Sequence, residues 1–165
     1  MSQPKRLLLL RHAKSSWDDP TLADHDRPLA PRGRKAAKRI GRHLRSEEIT
    51  VSLVLCSSAR RARETLDRVA PAGRIEVESE LYGASADQLL DRLRRLPDDT
   101  GTVMLVGHNP AIQDLLLALV DEPGDLAAEK FPTGALATLA VPGPWHLLEP
   151  GQAQLTALVT PRGLG

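Results

Sequence analysis

Aromatic residues are nearly missing from this chain: two Trp, one Tyr and one Phe account for 2% of its 165 residues. Proteins that hold single-stranded nucleic acid stack bases on such rings, so this composition excludes that class. No sign of charge dominates either, since 22 Lys and Arg face 21 Asp and Glu for a net charge of +1. A chain so balanced has no overall basic field to draw it to a polyanion. The single cysteine, Cys56, excludes an internal disulfide and suits a reducing compartment. No apolar run approaches the roughly 20 residues of a membrane span. The short run Leu7–Leu10 ends in charge, unlike the core of a signal peptide. The expectation is a cytoplasmic protein without a nucleic-acid or membrane partner, in one domain spanning residues 1–165, long enough to bury a core unaided.

Apolar runs alternate with helical patterns along the chain. Strands are expected at Lys5–Arg11, Val51–Leu55, Arg74–Val77, Thr102–Val106, Ala135–Val141 and Gln154–Val159. An amphipathic helix is expected at Arg32–Ser46, and further helices from Ser57-Ser58 to about Ala70, at Ala86–Leu96 before Pro97, and at Ala111–Val120. Ser57 or Ser58 is a natural N-cap for the second helix, and Pro110 fits the first turn of the fourth. Ala13–Pro31 has no periodicity and reads as a long loop, a length more often functional than merely connective. This alternation predicts an α/β three-layer sandwich with a mostly parallel sheet.

Three strand ends carry residues able to grip or attack an anion. The first ends Arg11-His12, the second Cys56-Ser57-Ser58 before a helix bearing Arg60, Arg61 and Arg63, and the fourth Gly107-His108-Asn109-Pro110. Carboxyl ends of parallel strands converge on one crevice. Two arginines there suit bidentate contact with phosphoryl oxygens, and helix N-termini add amide donors. Each piece alone has an ordinary reading: a solvated loop start, a helix cap, a charged helix face. Independent surface residues have no reason to cluster at three strand ends, and the coincidence favours a phosphate site.

The order Arg-His after a buried strand, Ser-x-x-x-Arg-Ala-x-x-Thr at the next, and then Gly-His-Asn-Pro resembles the histidine phosphatase superfamily. The matching blocks are Leu7–Ser16, Asp26–Ala37, Ser57–Thr65 and Val106–Pro110. Within that superfamily the chain is similar to the small phosphohistidine phosphatases of the SixA type. The resemblance implies a phosphoglycerate mutase-like fold and a metal-independent phosphatase without a cofactor. His12 would be the phosphoryl acceptor, Arg11 and Arg61 the phosphate clamps, and His108 a donor to phosphoryl oxygens. The substrate implied is a protein bearing phosphohistidine. A small-molecule phosphomonoesterase or mutase of the same superfamily, or a phosphate-recognising module without turnover, remains the alternative. For His12 to attack, its reacting nitrogen must be neutral, with a backbone acceptor holding the proton on the other.

Other positions are less determined by pattern. Glu80 is the positional candidate for a general acid, with Asp18 and Asp19 as rivals and a solvated carboxylate as the plain reading. Lys14, Ser15, Ser57 and Asn109 lie where they would help to bind phosphate, whereas Arg27 orders the loop. His25, His43 and His146 read as surface residues. Cysteine phosphatases place an arginine after five intervening residues; here that position is Ala62, so Cys56 reads as packed core. Ala13 stands where the superfamily usually has glycine, and alanine cannot adopt a positive φ cheaply.

Overall fold

The structure, a computed structural model, describes residues 4–124 and 130–164. Its strands are β1 (Lys5–Arg11), β2 (Leu53–Ser57), β3 (Arg74–Glu78), β4 (Thr102–Gly107), β5 (Leu136–Val141) and β6 (Gln154–Val159). Its helices are α1 (Pro31–Ser46), α2 (Arg60–Val69), α3 (Ala86–Arg94) and α4 (Ala111–Leu119). The sheet runs in the order β3-β2-β4-β1-β5-β6. β1, β2, β3 and β4 are parallel to their neighbours in this set, and β5 closes antiparallel on β1, with β6 antiparallel on β5.

The leucine run explains the layering. Leu7 to Leu10 are all fully buried, and the two-residue period of a strand sends them alternately to opposite faces. Leu7 and Leu9 join the core under α3 and α4, whereas Leu8 and Leu10 join the core under α1 and α2. α4 buries Ile112, Leu115, Leu116 and Leu119 on one side, and α1 buries Ala37, Ile40 and Leu44 on the other. Each buried leucine contributes about 1.5–3 kcal/mol by leaving water. The three-layer α/β expectation holds.

Element limits differ from expectation where tertiary contacts decide. β2 ends at Ser57 because Cys56 and Ser57 still pair with Val77 and Glu78 of β3. Neither Ser57 nor Ser58 caps α2. The N-cap is Ala59, while Ser57 Oγ accepts the Ala59 N–H at 3.2 Å and Ser58 turns to His25. The long loop carries a 3₁₀ turn at Asp24–Asp26 and a bridge between Ser15 and Leu29. It is pinned to α1 at Gly33, where a Cβ would lie 2.1 Å from the Lys14 carbonyl oxygen.

Candidate active site

The sheet order makes β2, β4 and β1 direct neighbours, so the three unusual strand ends meet at one edge. His12 leaves β1 with its N–H on the Gly107 carbonyl at 3.0 Å. The His12 and His108 ring centroids are 5.1 Å apart. Arg61 enters from the first turn of α2 and is nearly buried.

His12 Nδ1 lies 2.7 Å from the Ala13 carbonyl oxygen. That acceptor requires the proton on Nδ1 and leaves the Nε2 lone pair free. Ala13 is itself fixed, since its N–H donates to Thr65 Oγ1 at 2.9 Å and Thr65 donates to the Arg61 carbonyl at 2.7 Å. Ala13 is absent from the residues with positive φ, so the missing glycine is not needed for backbone conformation here. Burial first, then neighbouring His108, Arg61 and Arg11, pushes His12 down to about 3 against the opposing Ala13 hydrogen bond. His108 comes down to about 4 by burial first and then by the charges of Arg61 and Arg11. Both rings are therefore neutral at physiological pH.

His108 Nε2 lies 2.7 Å from Ser57 Oγ, and the serine hydroxyl donates to it when the His108 proton sits on Nδ1. His108 Nδ1 and Arg11 Nε are buried with no partner among the described residues. Leaving such a donor unpaired costs about 1–3 kcal/mol. Arg11 is also held by Nη1 on the Phe131 carbonyl at 3.0 Å, and burial lowers its pKa.

A carboxylate that no pattern indicated crosses the rim. Asp24 accepts from Tyr82 Oη at 2.5 Å, from Arg61 Nη2 at 3.0 Å and from Arg27 Nη1 at 3.0 Å. Its carbonyl accepts from Arg61 Nη1 at 2.7 Å. The Tyr82 hydroxyl above all, then Arg61 and Arg27, holds the Asp24 carboxyl well below the usual carboxylate range. Tyr82 stacks edge-on against both His25 and His108. His25, expected at the surface, is partly exposed there and joins this rim through Ser58 Oγ at 2.8 Å. A cavity of about 430 Å³ opens beside His108 between the starts of α3 and α4, walled by Tyr82, Gly83, Leu89 and Asp114.

His12, Arg11, Arg61 and His108 thus come together, and the other candidates take different places. Glu80 pairs with Arg95 at 2.9 Å and Arg92 at 3.8 Å, which turns it toward α3 and away from the histidines. Asp19 caps Thr21, and Asp18 and Asp19 are exposed on the loop. Ser57 positions His108 from a fully buried site. Asn109 brackets the start of α4, with Oδ1 on the Gln113 N–H and Nδ2 on the Phe131 carbonyl. Ser15 accepts from Arg27, which also donates to the Ser16 carbonyl and lies over the Trp17 ring. Arg27 therefore orders the loop. The Lys14 side chain is exposed and makes no hydrogen bond or ion pair among the described residues. Cys56 is packed core whose thiol burial pushes up to about 12. His146 is exposed beside Asp98. Among the described residues, no group of three or more His, Cys, Asp or Glu could hold a metal ion, and no helix is long and apolar enough to cross a membrane.

Residues 7–82 match the histidine phosphatase superfamily (branch 1). The chain is also 41% identical over 159 residues to an uncharacterized protein of Mycobacterium tuberculosis, covering 93% of this chain and all of that protein. The chain belongs to the histidine phosphatase superfamily. Among solved structures, a protein given the name SixA from Nakamurella multipartitia superposes with a TM-score of 0.86 at 32% identity, covering 97% of this chain and 98% of that one. One from Agrobacterium tumefaciens, named likewise, gives 0.81 at 31% identity over 96% and 99%. These likenesses make the chain a phosphatase of SixA-like build with a phosphoglycerate mutase-like fold. The ring of His12, with Nδ1 on the Ala13 carbonyl and Nε2 left without a partner among the described residues, lies beside His108, and Arg61 and His108 line the adjoining cavity.

Proposed function

We propose that the protein hydrolyses phosphohistidine in other proteins through a phosphoryl group carried on His12. His12 Nε2 attacks phosphorus as the P–N bond to the substrate imidazole breaks. The imidazole, protonated on its other nitrogen, leaves as a neutral ring. Arg11, Arg61 and His108 Nδ1–H take up the charge of the transferring oxygens. Water then attacks the phosphoryl group on His12, releasing phosphate and the neutral His12 ring.

The ionised state of Asp24 carries the choice of substrate. An alkoxide leaving group needs a proton, and Asp24, held ionised by Tyr82, Arg61 and Arg27, has none to give. Imidazole, with an ordinary pKa of about 6.5, leaves without that help. One observation favours the alternative of a small phosphomonoester: a carboxyl group, that of Asp114, walls the cavity beside His108.

The test compares phosphoramidate and a phosphohistidine peptide with a panel of phosphomonoesters, on wild type, His12→Ala and Asp114→Asn. P–N substrates are expected to be favoured in kcat/KM by at least about tenfold. His12→Ala should lose at least about a thousandfold, and alkaline-quenched wild type should carry a phosphoryl group on the peptide containing His12. Turnover of monoesters alone, lost in Asp114→Asn, would falsify the proposal. Phosphate binding without turnover of any substrate would mark a recognition module instead.

A further inference from the structure

The balanced net charge hides a segregation. α1 holds Arg32, Arg34, Lys35, Lys38, Arg39, Arg42 and Arg45 and no carboxylate. The rest of the chain is left with 15 basic against 21 acidic residues. Arg32, Lys35, Lys38, Arg42 and Arg45 are exposed, and at 3.6 residues per turn they fall on one face about 20 Å long. None of the seven forms an ion pair among the described residues.

Elementary helix physics opposes this arrangement. Like charges three and four residues apart repel, and cations in the first turn oppose the helix dipole. Arg45, in the last turn, suits the dipole, but among the described residues no carboxylate pairs with a cation of that face. A local rule broken without internal compensation points outward, to a partner.

We propose that the outer face of α1 docks an acidic polypeptide surface that flanks the phosphohistidine; the identity of the partner as a protein rests on the function proposed above. The N-terminus of α1 is tied to the His12 segment, because Gly33 abuts the Lys14 carbonyl and Ala30 N–H donates to it at 2.9 Å, two residues from His12. A protein presenting its phosphohistidine to His12 lays the adjoining surface over the N-terminal half of α1. α1 itself exposes no Trp, Phe or Leu, and the lone exposed Leu164 beside Arg39 and Arg42 is far less than the apolar face with which surface-binding amphipathic helices enter a bilayer. α1 carries no Trp, Tyr or Phe on which a base would stack, its one ring being the half-buried His43.

Phosphohistidine peptides of equal length, flanked by glutamates, serines or lysines, are assayed on wild type and on the triple variant Lys35→Glu, Lys38→Glu, Arg42→Glu. Phosphoramidate serves as the control, because it is too small to reach α1. For wild type, KM should be about tenfold lower for the glutamate peptide than for the serine peptide, and the advantage should vanish at about 0.5 M salt. The variant should reverse the order while its phosphoramidate kcat and KM stay within about twofold. Equal KM values for the three peptides on wild type overturn the proposal, as does a variant that loses phosphoramidate turnover in step. Binding of duplex DNA or phosphatidylserine vesicles with indifference to the glutamate peptide also overturns it. Should phosphohistidine not be turned over at all, the function proposed above fails. Fluorescence anisotropy of the unphosphorylated glutamate peptide on wild type and variant then still decides the docking.

Discussion

The chemistry of the site rests on where two protons sit. The Ala13 carbonyl holds one on His12 Nδ1, and the Ser57 hydroxyl holds the other on His108 Nδ1 when it donates to Nε2. Ser57→Ala removes the group that orients His108, and kcat is expected to fall about tenfold, the worth of one buried hydrogen bond. ¹⁵N spectra of the ring nitrogens should show His108 sampling both tautomers in that variant. Glu80 and Asp24 invert the expectation from pattern. Glu80→Gln should leave kcat and KM within about twofold of wild type, as for an exposed ion pair. Asp24→Asn keeps the shape but removes the charge that aims Arg61, and KM for phosphoramidate should change about fivefold or more. An Asp24→Asn enzyme with wild-type kinetics would remove Asp24 from the positioning of Arg61. Asp24 was hard to find because its meaning lies in Tyr82, Arg61 and Arg27, which are 58, 37 and 3 positions away.

Elements were legible in proportion to their burial. β1 and β4 are buried along nearly their whole length, so their apolar runs end where the strands do and mark the two histidines. Leu9→Ala in β1 should destabilise the protein by about 2–5 kcal/mol, read from urea unfolding. β2 was misplaced by two residues, since Cys56 and Ser57 look like a turn in sequence yet both pair with β3, and Cys56 with β4 as well. The loop between β1 and α1 gave no periodic signal because its order comes from side chains: Arg27 on Ser15, Ser16, Asp24 and Trp17. Its anchor is the contact of Gly33 with the Lys14 backbone. Gly33→Ala forces a displacement there, and overpacking of this kind costs about 1–3 kcal/mol. The expected fall in Tm is about 3–10 °C, with a loss of kcat from the disturbed His12 segment. A full retention of both would show that the loop is not fastened at this point.

The whole molecule carries an electrostatic signature of its site. His12 and His108 ionise near 6.5 when unfolded but only near 3 and 4 when folded. Between those values the unfolded state binds more protons, so stability is full above about pH 6.5 and is lost as pH falls. Each ring contributes a slope of up to about 1.4 kcal/mol per pH unit in that window. Denaturant unfolding of wild type between pH 7 and 5 should therefore steepen with acid, and His12→Gln with His108→Gln should flatten that dependence. An unchanged slope would mean that the rings are not buried neutral. At this scale the net charge of +1 misled, because a sum over residues does not see that seven cations share one helix. The order of strands and helices, the two-faced leucine run and the Arg-His, Ser-x-x-x-Arg and Gly-His-Asn-Pro strand ends were determined by sequence alone. Burial and backbone period are local properties, written in adjacent residues. The convergence of β2, β4 and β1, the tautomers of the two histidines, the capture of Asp24 by Arg61 and Tyr82 and the removal of Glu80 to Arg92 and Arg95 were decided only in the tertiary structure. Each of these depends on a distance between residues far apart in the chain, and folding alone sets such distances.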